Sequence, residues 1–224
     1  MKRIFFITGT DTGAGKTVLT VLLAQYLRAR GISVAALKPV CSGGREDAQA
    51  IYRALGETLP LDEINPWHFR AAIAPSLAAR LEKKTVALAS VLAHVRAMQK
   101  KSNVTLVEGA GGLLSPLGKD FDSRDLMAAL RATPIIVAQN KLGVVNHLLL
   151  TLEALPKNLR GRAKIVFMSP PKPDAASALN SKLLSEFLSP RDVFTLPWLG
   201  KPFSPREALQ RPAVKRTLAA LVLI

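Results

Sequence analysis

IFFITGTDTGAGKT, residues 4–17, is the stretch on which the reading of this chain turns. Its first residues are β-branched and aromatic, the composition of a buried strand. Three glycines, Gly9, Gly13 and Gly15, punctuate the next nine residues. Gly15-Lys16-Thr17 then opens into VLTVLLAQYLRAR, a helical pattern closed by Gly31. Strand, glycine loop and helix in that order form the context of a phosphate-binding loop. Glycines let the backbone curl so that successive N–H groups point inward, and the helix N-terminus adds its partial positive charge. Gly13, Ala14, Gly15, Lys16, Thr17 and Val18 are therefore expected around a phosphate. Lys16 is expected at the terminal phosphates and the Thr17 hydroxyl on Mg²⁺. The pattern departs from the strict G-x-x-x-x-G-K-[ST] form, because Gly9 stands one position early and Thr10 takes the first glycine's place.

Around this loop the chain has 224 residues, 49% of them hydrophobic, enough for one sizeable core. Strand-like and helical runs alternate along it, which predicts an α/β fold with a mostly parallel sheet flanked by helices on both faces. No repeat, low-complexity tract or linker divides the sequence, so one domain over 1–224 is expected. Cys41 is the lone cysteine, so no intrachain disulfide can form and a reducing cytoplasm fits. No stretch approaches the roughly 18 apolar residues of a membrane span. The net charge of +15 is spread over Lys2, Arg3, Arg28, Arg30, Lys83, Lys84, Lys100, Lys101 and Arg162, without interleaved aromatics. That distribution favours a solvated surface over a nucleic-acid or membrane site.

Residues 32–40 (ISVAALKPV) read as the second strand, ending at Lys38-Pro39, and CSGGRED as a loop. A short helix is predicted from Asp47 to Leu55, an irregular stretch through Trp67, Phe69 and Pro75, and an amphipathic helix over 85–101 capped by Thr85. Residues 103–108, 134–139, 164–169 and 192–196 read as further strands. Helices are expected over 123–131, from about Val144, around 175–188 and over 213–224. In open α/β sheets ligands bind at the carboxyl ends of strands. Lys16, Lys38, Glu108 and Pro197 all fall at such ends, which predicts one shared cleft.

Glu108 ends a hydrophobic strand before Gly109, Ala110, Gly111 and Gly112, the usual place of a second metal anchor in a phosphate-loop enzyme. A solvated strand-end carboxylate is the plainer alternative. Asp47 has two readings of equal weight, a third metal ligand or a helix-N-terminal carboxylate. Lys38 is either a snorkelling lysine or a cation that gathers charge on a transferred phosphoryl group. Ser42 either contacts substrate or closes a turn. His68, His94 and His147 share no metal-ligand spacing.

Several separated motifs coincide with one family. TGTDTGAGKT, KPVCSG, NPWHF with AP at 74–75, VEGAGGLLSPL, KLGVVNH and LPWLG run in order from Thr8 to Gly200. With them the chain resembles the dethiobiotin synthases, P-loop enzymes that close the ureido ring of dethiobiotin in biotin biosynthesis. The resemblance implies ATP and CO₂ or bicarbonate as co-substrates, 7,8-diaminononanoate as the diamine, and Mg²⁺. It implies Thr17, Asp47 and Glu108 around the metal, and Lys38 as principal catalytic cation assisted by Lys16. Thr12, Lys38 and Ser42 would contact substrate. Gly109, Ala110 and Gly111 would line the nucleotide side, and Pro197, Trp198 and Leu199 the adenine pocket. Gly143, Val144, Val145 and Asn146 would hold the substrate carboxylate of a neighbouring subunit, which implies a homodimer.

Two departures stand out. Met168-Ser169 replace an Asn-Asp pair whose amide reads adenine in many members, which predicts looser nucleobase selectivity. Gly13 replaces a frequent glutamate, with little effect expected where backbone groups bind phosphate. A partitioning or septum-positioning ATPase is the nearest rival. That group carries a signature lysine where this chain has Asp11 and favours aspartate at the position of Glu108. Amidotransferase-type synthetases of similar fold are longer and need a nucleophilic cysteine in an additional domain.

Overall fold

The computed structural model describes residues 2–189 and 192–222. Its strands are β1 (Arg3–Gly9), β2 (Val34–Leu37), β3 (Val40–Ser42), β4 (Trp67–Phe69), β5 (Val104–Glu108), β6 (Pro116–Gly118), β7 (Phe121–Asp122), β8 (Thr133–Gln139), β9 (Lys164–Met168) and β10 (Val193–Leu196). Six form one sheet in the order β10-β9-β8-β1-β5-β2, and every pairing in it is parallel. Two small sheets, β3-β4 and β6-β7, lie outside it.

The first five helices are α1 (Lys16–Arg28), α2 (Glu46–Ala54), α3 (Leu61–Ile64), α4 (Pro75–Leu81) and α5 (Leu88–Lys100). They are followed by α6 (Ser123–Leu130), α7 (Val144–Ala154), α8 (Lys157–Arg160), α9 (Ala175–Leu184), α10 (Pro205–Ala208) and α11 (Pro212–Leu221). Because a strand's side chains alternate, β1 feeds two apolar layers at once. Phe5 and Ile7 pack with Leu19, Leu22 and Leu27 of α1 and with Val214 and Leu218 of α11. Phe6 packs on the opposite face among Val91 and Val95 of α5 and Leu148 of α7. In β8, Ile135 and Val137 join the first layer while Ile136 and Ala138 join the second. A strand covered on both sides reads as an unbroken apolar run, which is how IFFI and PIIVA look in the sequence. Burying one side chain such as Phe6 contributes about 1.5–3 kcal/mol.

The chain leaves β1 for β2, returns to β5, and then crosses to β8 on the far side of β1. Strand order therefore reverses at β1, and a crevice opens there at the carboxyl ends. Local differences from the sequence reading follow from backbone chemistry. The second strand ends at Leu37 rather than Val40, because the Lys38 N–H donates to Ile64 O rather than to a sheet neighbour and Pro39, which follows, has no N–H to give. The chain re-enters extended structure at Val40–Ser42, and Cys41-Ser42 pair with His68-Phe69. Part of the expected loop and part of the expected irregular stretch are thus a small parallel ladder. Thr85 caps no helix; α5 starts at Leu88 without a side-chain cap. Helix α9 stops at Leu184, short of the predicted Leu188. The predicted final helix reaches past the described residues at 223–224.

Candidate active site

Parallel register brings the site together before any side chain is considered. Ile7 pairs with Glu108 across β1–β5, and Leu37 pairs with Val107 across β2–β5. Lys38 follows Leu37 and Glu108 follows Val107, so both emerge side by side next to the loop that leaves β1. The first turn of α2 supplies Asp47.

Gly13 and Gly15 hold the loop in left-handed backbone, φ 71° and 102°, where a Cβ would be strained. Gly15 is also the N-cap of α1, which has no side-chain cap and no acidic residue in its first turn. The leading N–H groups of this thirteen-residue helix are therefore left for an external acceptor. Lys16 is buried, and its Nζ donates to Asp11 O at 3.0 Å. Burial pushes the Lys16 ammonium below the ordinary lysine range, and the charge of Lys38 adds to that shift. Gln139 Nε2, from the end of β8, donates to Gly13 O at 2.9 Å and braces the loop.

Glu108 is 1% exposed and is the centre of the polar cluster. Its Oε1 accepts from Thr17 Oγ1 at 2.7 Å and from Lys38 Nζ at 2.7 Å. Lys38 Nζ also lies 2.5 Å from Asp47 Oδ2. Burial acts to lower the Lys38 pKa, but the carboxylates of Glu108 and Asp47 outweigh it and raise it above the usual lysine value. Burial would raise Asp47, yet the Lys38 charge and hydrogen bonds from Lys38 and Thr17 leave its carboxyl below the usual range. The Lys38 backbone is pinned as well. Its N–H donates to Ile64 O at 2.9 Å, and its carbonyl accepts from Asn65 Nδ2 at 2.7 Å.

Lys16, Thr17, Lys38 and Asp47 border a cleft of about 720 Å³, while Glu108, predicted to open on it, is buried behind them and does not line it. Thr12, Gly13, Gly15, Lys16, Thr17, Val18, Lys38, Ser42, Asp47, Ala110 and Gly111 all line it. Ala14 is buried within the turn, and Gly109 packs against Ser123 and Phe6 rather than facing the cleft. Pro197, Trp198 and Leu199 follow β10 and do not line the cleft, which narrows the single cleft predicted for all four strand ends. Gly143 to Asn146 form the start of α7 and lie outside the cleft of their own chain. Asn146 instead borders a separate hollow with Leu150 and Phe187.

Sequence reasoning missed the apolar wall of Ala72, Ile73, Ala74 and Pro75. Its one legible trace was the AP pair, read as part of an irregular segment. Asn65 was also missed as the residue that fixes Lys38. Cys41 is buried and borders the cleft, with burial raising its thiol pKa. The Ser42 hydroxyl donates to Ile73 O, a contact that ties the wall to β3.

The donor set fits a hard divalent cation. Thr17, Asp47 and Glu108 offer only oxygen, and Glu108 Oε2 is buried with no hydrogen-bond partner. Among the described residues no group of three or more His, Cys, Asp and Glu gathers to cage a metal. Two carboxylates and a hydroxyl, with the rest supplied by phosphate and water, is the economy typical of Mg²⁺.

Glycine loop, buried lysine, threonine at the helix start and strand-end acid at the switch point define a P-loop nucleotide-binding protein. Consistent with that class, residues 3–203 match the AAA domain family model. The chain is also similar over its full length to a ParA family ATPase from Chlorobium tepidum, with TM-score 0.59, 14% identity and 99% of that chain covered, a likeness of fold. An ATP-dependent dethiobiotin synthetase from Anaeromyxobacter dehalogenans is 39% identical over 201 residues, 88% of this chain and 90% of the relative. The synthetase of that name from Methanocaldococcus jannaschii is 37% identical over 165 residues, 70% of this chain and 77% of the relative. The chain belongs to the dethiobiotin synthetase family.

Proposed function

We propose that this protein is an ATP-dependent cyclo-ligase that converts 7,8-diaminononanoate and CO₂ into dethiobiotin, acting as one domain. The observation that carries the reading is the meeting, in one cleft, of the loop lysine, Lys38, Thr17 and Asp47 beside an apolar wall, with the buried Glu108 bonded to Thr17 and Lys38 from behind. That wall suits the aliphatic chain of the diamine, and the polar half suits phosphates.

In this reading one amine takes up CO₂, loses a proton and becomes a carbamate. A carbamate oxygen attacks the γ-phosphorus of ATP, ADP leaves, and a carbamic–phosphoric anhydride results. The second amine attacks the anhydride carbonyl, phosphate departs, and the ureido ring closes. Catalysis is positioning plus charge stabilisation. The loop amides and Lys16 hold the phosphates, Lys38 faces the transferring group, and Thr12 and Ser42 border the diamine. Thr17, Asp47 and Glu108 would hold Mg²⁺, which neutralises charge on the β- and γ-phosphates when bound. Lys38→Ala is expected to retain nucleotide binding and lose turnover; an active variant would remove the assignment.

The base would sit toward Pro197–Leu199, where Met168 lies against Gly15; a Cβ there would meet Met168 Cγ at 2.9 Å. A thioether offers the base contact area without an amide to read it, which supports loose nucleobase choice. The start of α7 would serve the neighbouring subunit of a homodimer. Leu142 and Leu150 on this segment are 82% and 62% exposed, an apolar surface that suits a second copy. No helix among the described residues is long and apolar enough to cross a membrane. A cytoplasmic location, without nucleic-acid or membrane partners, completes the reading.

The deciding experiment incubates the protein with diaminononanoate, bicarbonate, Mg²⁺ and ATP, GTP or CTP in turn, and looks for dethiobiotin by mass. Product with ATP is expected. No product with any nucleotide would overturn the reading, and a strict ATP preference would overturn the loose-base part of it.

A further inference from the structure

Lys38 Nζ joins two carboxylates. It lies 2.5 Å from Asp47 Oδ2 and 2.7 Å from Glu108 Oε1, the two carboxylates proposed above as metal ligands. Thr17 Oγ1, the third proposed ligand, donates to that same Glu108 oxygen. The four charges of Lys16, Lys38, Asp47 and Glu108 balance. A bare divalent ion added beside these four would face two cations at short range, and the one further carboxylate acting on Lys16, that of Asp11, contributes least. A triphosphate brings enough negative charge to keep both the metal and the two lysines. The Lys38 backbone is held on both sides by Ile64 O and Asn65 Nδ2, and Pro39 follows it. Any exchange must therefore be a swing of the side chain alone, and that side chain already borders the cleft.

We infer that Lys38 is a resident stand-in for the metal: its ammonium closes the Asp47–Glu108 pair before nucleotide binds, and the divalent ion enters only together with the nucleotide, turning Nζ out toward the reacting phosphoryl group. Metal entry and delivery of the catalytic cation are then one event. The free protein does not preload metal, and Lys38 does not reach the phosphoryl group until the nucleotide is fully charged with its ion. The inference rests on the metal ligands of the proposed function, but not on the diamine or on turnover.

The test titrates Mn²⁺ by electron paramagnetic resonance into nucleotide-free protein. Wild type is expected to bind weakly, and Lys38→Met at least tenfold more tightly; a gain below tenfold overturns the inference. Because Lys38→Met is expected to lose stability by stranding the Glu108 charge, a second measurement uses wild type only. The ¹³Cε resonance of Lys38 is expected to stay fixed on adding Mg²⁺ alone and to move with Mg²⁺ plus a non-hydrolysable ATP analogue. Full movement with Mg²⁺ alone overturns it. Both readouts are independent of dethiobiotin formation, so failure here and failure of the synthetase reading are told apart.

Discussion

Replacing Lys38 by methionine keeps the length of the side chain and removes its charge, so the loss can be worked from the contacts. Glu108 would be left 1% exposed, with one oxygen already unpartnered and the other held by Thr17 alone. Removing one member of a buried ion pair costs about 3–5 kcal/mol, because the remaining charge is stranded. Lys16 still stands nearby and Asp47 can turn to water, its side chain being 50% exposed, so the lower end, about 3 kcal/mol, applies. For a chain of this size that lowers Tm by roughly 6–12 °C. Adding Glu108→Gln removes the stranded charge, and the double variant should lie within about 1 kcal/mol of wild type. Urea unfolding of the four proteins gives the coupling directly. The double variant should regain stability and still fail to turn over. Additive losses, or a Lys38→Met protein within about 0.5 kcal/mol of wild type, would refute the account of Glu108 as a buried charge dependent on Lys38.

Other expectations concern single elements. The Asp47 carboxyl is held below its usual range, so its pairing stabilises the fold fully above about pH 4 and is lost as pH falls through the folded-state value. Asp47→Asn should flatten the acid limb of stability against pH, and an unchanged limb would contradict the pairing. Burial raises the Cys41 thiol, so iodoacetamide should modify it slowly at neutral pH and rapidly in urea; fast native labelling would count against its buried position. Gly15→Ala forces a left-handed alanine, costing about 1–2 kcal/mol in thermal unfolding, and should weaken triphosphate binding roughly tenfold in calorimetry. Intact ATP affinity would show that the loop tolerates a side chain there. Leu142→Asp with Leu150→Asp should give a monomer by sedimentation, with turnover lost; a stable dimer would rule out this face.

The order of elements, the parallel sheet and the phosphate loop were legible in the sequence, because they depend on local facts. Apolar runs of strand length, glycines where backbone must turn left-handed, and a helix with no acid at its start can each be seen in a few residues. Lys16 and Thr17 follow from that one segment. On the residues alone Asp47 stood at even weight with its plainer alternative and Lys38 had a common bland reading, while only the glycines after Glu108 favoured a functional role there, since a strand-end lysine or helix-start aspartate is common anywhere. Only the register of β1, β5 and β2, which spans about a hundred residues, put Lys38 beside Glu108, and only the docking of α2 brought Asp47 to the same ammonium. The β3–β4 ladder and the apolar wall at 72–75 were likewise invisible, because a three-residue strand has no periodicity and exists only through its partner. Local chemistry writes the loop; long-range pairing decides which charges are buried together, and therefore which of them can do chemistry.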